Sequence, residues 1–176
     1  MASNNSIASE CVDQSAFKDV LRSVVGAVSI VATGQGETRR GLTVTAASSL
    51  CVDPPMVLVC INRNAEAHDV ILESGAFSWN VLSTDQVSLA QRFASMDGSK
   101  GTSRFSLAEW GALSTGCPVL LTSVCSFDCQ VRDTVPAGTH LIVIGDVISQ
   151  INSPDKRPLT YHYGRFCTVN EVNVTI

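Results

Sequence analysis

A chain of 176 residues with 45% hydrophobic and 16% charged side chains can bury one full-sized core, which excludes a disordered tail or a coiled coil. A net charge of −4 without a dominating basic patch argues against nucleic acid as a partner. No apolar run reaches membrane-spanning length, and the first dozen residues lack the basic start and apolar stretch of a secretory signal, so a cytoplasmic location is expected.

Residues 1–12 read as a loose polar leader, 13–170 as one domain and 171–176 as a tail. From Asp13 to Val24, Phe17, Val20, Leu21 and Val24 recur at helical spacing, and Gly26 ends the element. Ala27 to Thr33 is β-branched and strand-like, and Gly34 to Arg40 makes a hairpin loop. A strand over about 40–46 then runs into a small, hydroxyl-rich loop, Ala46 to Leu50, which ends at Asp53-Pro54-Pro55. Met56 to Ile61 is a continuous apolar strand leading to the polar cluster Asn62-Arg63-Asn64. His68 to Ser74 is a short helix closed by Gly75, and Phe77 to Leu82 a strand. Ser83-Thr-Asp-Gln86 has the spacing of a capping box and predicts a helix from there to about Phe93. Ser95 to Pro118 lacks periodicity and reads as a long excursion. Val124 to Val135 alternates cleanly, as a strand with one wet face does, and Leu141 to Ile151 is a long apolar strand. Many strands, few helices and no regular βαβ alternation predict an antiparallel Greek-key barrel.

The chemistry-bearing patterns are narrow. There is no G-x-G-x-x-G opening a helix and no P-loop, so a nucleotide would bind without either fingerprint. The three histidines are far apart and the 7 cysteines lack a C-x-x-C pair, so no metal site and no redox pair is expected. No G-x-S-x-G elbow is present. The hydroxyls of Thr43, Thr45, Ser48 and Ser49 suit ordinary strand and turn bonding as well as a ligand. Asn62, Arg63 and Asn64 suit a solvated turn equally, although a guanidinium there can pair with a phosphate.

Gly41-Leu-Thr-Val-Thr-Ala-Ala-Ser-Ser49, then Asp53-Pro-Pro55 and Cys60-Ile-Asn62, resemble the short-chain flavin reductases that supply reduced flavin to two-component monooxygenases. The resemblance continues through Asn80-Val-Leu82, Leu89 to Ala94, Arg104-Phe-Ser106, Gly116 to Leu120, Gly138-Thr-His140 and Tyr161 to Phe166. It implies a mainly β, split β-barrel with a few flanking helices, assembled as a homodimer. It also implies FAD or FMN and NADH or NADPH as cofactors, and hydride transfer between them. The implied partner is a monooxygenase acting on phenolic or chlorophenolic aromatics, reached by diffusing reduced flavin.

By the same resemblance Thr43, Val44, Thr45, Ala46 and Ala47 line the flavin ring, and Ser48 and Ser49 meet its ribityl chain or phosphate. Asn62, Arg63, Asn64 and Ala65 form the phosphate loop. Ala65 and Glu66 stand where the family often has a hydroxyl, which leaves Arg63 as the phosphate ligand or as the partner of Glu66. Phe93, Tyr163, Arg165 and Phe166 edge the pocket, and His140 positions the nicotinamide. The rival readings are an FMN-dependent oxidase of the pyridoxamine-phosphate type and a non-enzymatic flavin-binding electron carrier.

Overall fold

The computed structural model describes residues 12–170. The leader expected at 1–12, Val12 apart, and the tail expected at 171–176 lie outside the described residues. Among the described residues, three α-helices, α1 (Gln14–Leu21), α2 (Ala67–Ser74) and α3 (Val87–Phe93), accompany twelve strands. These are β1 (Gly26–Ala27), β2 (Ser29–Thr33), β3 (Arg40–Val44), β4 (Ala47–Cys51), β5 (Met56–Asn62) and β6 (Ala76–Val81). They continue as β7 (Trp110–Ala112), β8 (Pro118–Leu120), β9 (Cys125–Ala137), β10 (His140–Asn152), β11 (Leu159–His162) and β12 (Arg165–Thr168).

Seven strands form the main sheet in the order β3-β2-β6-β9-β10-β5-β4. Every pair in it is antiparallel. Its two outer strands, β3 and β4, are joined by only Thr45 and Ala46, so the sheet must curl until its edges nearly meet. That near-closure is the split barrel that the family resemblance implies. A short sheet, β1-β11-β12, lies beside the split.

Burial follows the pleat. On β5 and β10, Val57, Val59, Ile61, Leu141, Val143 and Gly145 point inward and are buried. Gly145 is required there, because an added Cβ would sit 2.6 Å from the Phe77 ring. The alternate positions, Leu58, Cys60, Ile142 and Ile144, are half-buried although apolar, so this second face is wet only by position. Strand β2 is buried on both faces: Val31 joins the barrel core, while Ile30 and Ala32 join a second core with Leu89, Phe93, Phe105 and Leu120.

Two motif residues serve the scaffold. Asn80 donates to the Ile30 carbonyl (3.0 Å) and accepts from the Leu120 N–H (2.9 Å) and the Ser126 hydroxyl (2.7 Å), tying β6 to its neighbours. Buried Arg104 donates to the carbonyls of Gly41 (3.0 Å) and Ser99 (3.0 Å) and to the Ser95 hydroxyl (2.6 Å), which anchors the 95–107 excursion onto β3.

Several local expectations need correction. The hydroxyl-rich stretch after β3 is no loop: Ala47 to Cys51 pair with β5, because an edge strand tolerates serines on its solvent side. The helix expected from Ser83 begins at Val87. The Ser83 hydroxyl turns to Asp85 instead of capping, and only the Gln86 half of the box forms, its side chain accepting from the Ser83 N–H at 2.9 Å. Strands β7, β8, β11 and β12 are additions. Helix α1 is present, capped by Asp13, but no residue of it is buried. Its stripe, with Phe17 55% and Val20 67% exposed, finds no cover among the described residues.

Candidate functional site

The split between β3 and β4 is the natural place for a ligand. Val44 still packs into the core, but Thr45 and Ala46 are exposed. The Ala46 carbonyl accepts from the Cys60 N–H (2.9 Å), so the seam is held by the β5 ladder and is rigid. On one side the chain leaving α1 is pressed onto it. A Cβ on Gly26 would lie 2.8 Å from the Thr45 Cβ, so only glycine allows this approach. On the other side stands the β11–β12 hairpin, whose turn residues Tyr163 (φ 46°) and Gly164 (φ 74°) are both left-handed. A non-glycine residue costs about 1–2 kcal/mol in that conformation. The Tyr163 N–H donates to the Arg22 carbonyl (2.8 Å), which clamps the hairpin to the end of α1.

Between these walls opens a cavity of about 750 Å³. Thr45 and Ala46 meet Gly26 at its floor. Leu21, Val24 and Val25 give an apolar wall, Tyr161, His162 and Tyr163 an aromatic one, and Lys18 and Arg22 two cations. No carboxylate lines it among the described residues. The volume suits a nucleotide-sized ligand, flat apolar walls suit a planar ring, and the charges suit a phosphate. A flavin with its nicotinamide partner therefore fits the residues present. Of the residues expected at the site, Thr45, Ala46 and Tyr163 line this cavity.

The remaining expected residues fall elsewhere. Ser48 and Ser49 lie exposed on β4, just past the seam, the Ser48 hydroxyl donating to the Ser49 carbonyl (3.0 Å). Thr43 donates to the Ala90 carbonyl (2.7 Å) and so binds β3 to α3, while Ala47 and Ala65 pack on the barrel core. Asn62, Arg63 and Asn64 form a turn at the end of β5: the Asn62 side chain accepts from the Asn64 N–H (2.9 Å), and the Arg63 N–H donates to Thr139 (3.0 Å). His140 stands opposite Asn62, exposed, with its Nδ1 2.9 Å from the Thr139 hydroxyl. Glu66 does not pair with Arg63. It accepts from the Gly101 N–H (3.0 Å) and lies 3.7 Å from Arg104.

Phe93 is no pocket edge in this chain. It is 1% exposed, edge-on to Phe105 at 5.0 Å, and fills the space that Gly41 leaves. Phe166 packs at 5.3 Å on Tyr161 behind the pocket wall, and Arg165 is exposed at the start of β12. The α1 wall with Gly26 went unread in the sequence. Its one signal is a glycine directly after Val24 and Val25, where a helix stop accounts for it equally well.

No described cysteine lines the cavity. Burial pushes the Cys129 thiol up to about 12 and raises Cys117 as well. Among the described residues no group of three or more His, Cys, Asp or Glu is placed to hold a metal, and no helix is long and apolar enough to cross a membrane.

The profile of the flavin reductase like domain matches residues 21–170. The chain belongs to the flavin reductase family. Its similarity to the NADH-dependent FMN reductase RutF of Yersinia enterocolitica is 33% identity over 161 residues, 92% of this chain and 87% of that one. Its backbone superposes on the NADH:FAD oxidoreductase SgcE6 of Streptomyces globisporus with a TM-score of 0.83 at 26% identity, covering 92% of this chain and 98% of the other. A flavin reductase component of a bacterial two-component tryptophan halogenase gives 0.82 at 27%, covering 91% and 100%. The split-barrel chain is thus an NAD(P)H-dependent flavin reductase, with a flavin and a reduced nicotinamide nucleotide as its cofactors.

Proposed function

We propose that this flavin reductase takes FMN and NADH as its preferred pair and hands diffusible reduced flavin to a separate monooxygenase acting on phenolic or chlorophenolic aromatics. The cavity over Thr45 and Ala46 carries the reading, being apolar, acid-free and walled by a clamped aromatic hairpin. The FMN and NADH preference rests on the name of the RutF relative, and delivery to an oxygenase on the sequence resemblance. When bound, the flavin supplies the hydride-accepting ring. The protein's part is orientation and exclusion of water. In the proposal Thr45 and Ala46 present the floor, and Tyr163 shields the ring from the open side. Ser48, Ser49 and Arg63 meet the polar chain of the flavin. His140, on the rigid start of β10, positions the nicotinamide and exchanges no proton with it.

A homodimer in the cytoplasm belongs to the same reading. Its support is the apolar alternate face of β5 and β10 together with the uncovered stripe of α1. Light scattering on the purified chain checks the dimer. The activity is tested with the four combinations of FMN or FAD with NADH or NADPH, following nicotinamide absorbance. Sustained turnover that requires added or bound flavin, fastest with FMN and NADH, is expected. Consumption of NADH in flavin-stripped protein at an equal rate refutes the reading, and a single stoichiometric reduction marks a carrier instead.

A further inference from the structure

Two cations of the cavity have no role in the reading above. Lys18 and Arg22 are four residues apart, so they project from one face of α1, and both line the cavity. The position of Arg22 is fixed through its carbonyl, which holds the Tyr163 N–H at 2.8 Å. The last carbonyls of the helix are used internally: the N–H groups of Arg22, Ser23 and Val24 donate to Lys18, Val20 and Leu21. Among the described residues Lys18 makes no ion pair. Arg22 has only Asp19 at 4.0 Å, with side chains 67% and 74% exposed. A contact so long and so open is weak. Two nearly uncompensated positive charges therefore face a space that holds no carboxylate.

We infer that Lys18 and Arg22 form a phosphate-holding pole of the cavity, gripping a phosphate group of a nucleotide bound there. The identity of the ligand rests on the reductase reading, whereas the anion site does not. The phosphate belongs either to FMN, as a monoester, or to the nicotinamide nucleotide, as a pyrophosphate; both present anionic phosphate oxygens. A guanidinium and an ammonium one turn apart can take different oxygens of one phosphate. The clamp through the Arg22 carbonyl then couples binding at this pole to the Tyr163 turn, so a seated phosphate holds the aromatic wall in place.

The test is the double variant Lys18→Ala/Arg22→Ala. Both side chains are exposed and alanine favours the helix, so the fold is not at risk. FMN is titrated against riboflavin, which lacks the phosphate. NADH is compared with 1-benzyl-1,4-dihydronicotinamide, which lacks it too. If the flavin phosphate sits here, FMN affinity falls about tenfold while riboflavin affinity holds, and the difference shrinks in high salt. If the nicotinamide phosphates sit here, the KM for NADH rises by a similar factor and that for the benzyl analogue does not. Lys18→Arg keeps either effect near wild type. Equal losses for the phosphorylated and unphosphorylated members of both pairs, or no loss at all, overturn the inference. Inorganic pyrophosphate separates this from the reductase reading. It should raise the melting temperature of the wild type and not of the double variant, whether or not either protein consumes NADH. Equal stabilisation of both also overturns the pole.

Discussion

Gly26→Ala perturbs the floor of the cavity with a single carbon. The new Cβ would lie 2.8 Å from Thr45 Cβ and 3.3 Å from its Cγ2. Carbon atoms pack at about 3.5–4.0 Å, so the α1 linker and the seam must part by roughly 1 Å. Overpacking of this kind costs about 1–3 kcal/mol. Gly26 is not among the glycines with positive φ, so no backbone strain adds to this. The strain has a cheap outlet. Strand β1 is two residues long and α1 buries nothing, so the linker lifts more readily than the barrel yields.

The melting midpoint should therefore fall by only about 3 °C, as expected for ~1 kcal/mol in a chain of this size. Flavin affinity should weaken by about tenfold or more, because floor and wall separate where the proposed placement puts the ring. Flavin fluorescence titration, NADH kinetics and calorimetry on one preparation read all three quantities. The nearest colliding atom is the Thr45 Cβ, so the substitution should stay harmful, though somewhat less so, in a Thr45→Ala background. In a Thr45→Gly background it should cost little, a non-additivity that only direct contact produces. An unchanged flavin dissociation constant alongside a lowered midpoint refutes the placement of the flavin over Thr45.

Arg63→Ala should weaken flavin binding by roughly tenfold, as the loss of one charged hydrogen bond does. Since Glu66 is already engaged by Gly101 and Arg104, an unchanged affinity would leave Arg63 a solvated turn residue. His140→Ala should lower kcat/KM for NADH by one to three powers of ten with flavin affinity intact, as positioning effects do. A structural histidine would lower only the melting point. Replacing Cys51, Cys60 or Cys117 singly by alanine should leave turnover intact. Cys117 and Cys129 should resist a thiol reagent at neutral pH until the protein unfolds, because burial keeps both neutral. The hydroxyl and N–H of Ser99 hold the Asp97 carboxyl down to about 2 from 3.8. A depressed carboxyl stabilises above its unfolded value and loses that as pH falls, so the stability gap between wild type and Asp97→Asn should be constant above about pH 4 and close toward pH 2.

How much was legible depended on whether a residue's role lies in its own periodicity. Strands β5 and β10 read directly as continuous apolar runs and β9 by its alternation, but the face of β9 expected to be wet is dry at Ser126 and Asp128, which are buried because β9 packs on both sides there. Ser48 and Ser49 did not, since hydroxyls mark turns and edge strands alike and only the pairing with β5 distinguishes them. Strands β11 and β12 have four residues each beside Pro158, too short for any period to show. Phe93 stood in a motif that resembles the family's, and a motif does not say whether its aromatic faces ligand or core. The answer lies in Gly41, distant in sequence, whose missing side chain makes the hole that Phe93 fills.

The same logic explains how this barrel can hold nucleotides without a glycine-rich helix start. A doubly wound sheet gathers phosphates at a helix N-terminus, and its fingerprint is local because strand, turn and helix are consecutive. Here the sheet meets itself at a two-residue seam, and the walls come from residues near 22 and near 163, joined by one N–H to carbonyl bond. Each wall alone is unremarkable: an exposed helix end, a hairpin turn with a left-handed tyrosine. In the proposed reading, binding capacity arises where they meet Thr45, so it depends on closure of the barrel. Any change that opens the seam, however far from a ligand atom, should therefore loosen flavin before it unfolds the protein. Gly26 and Tyr163 are where that order of events can be measured.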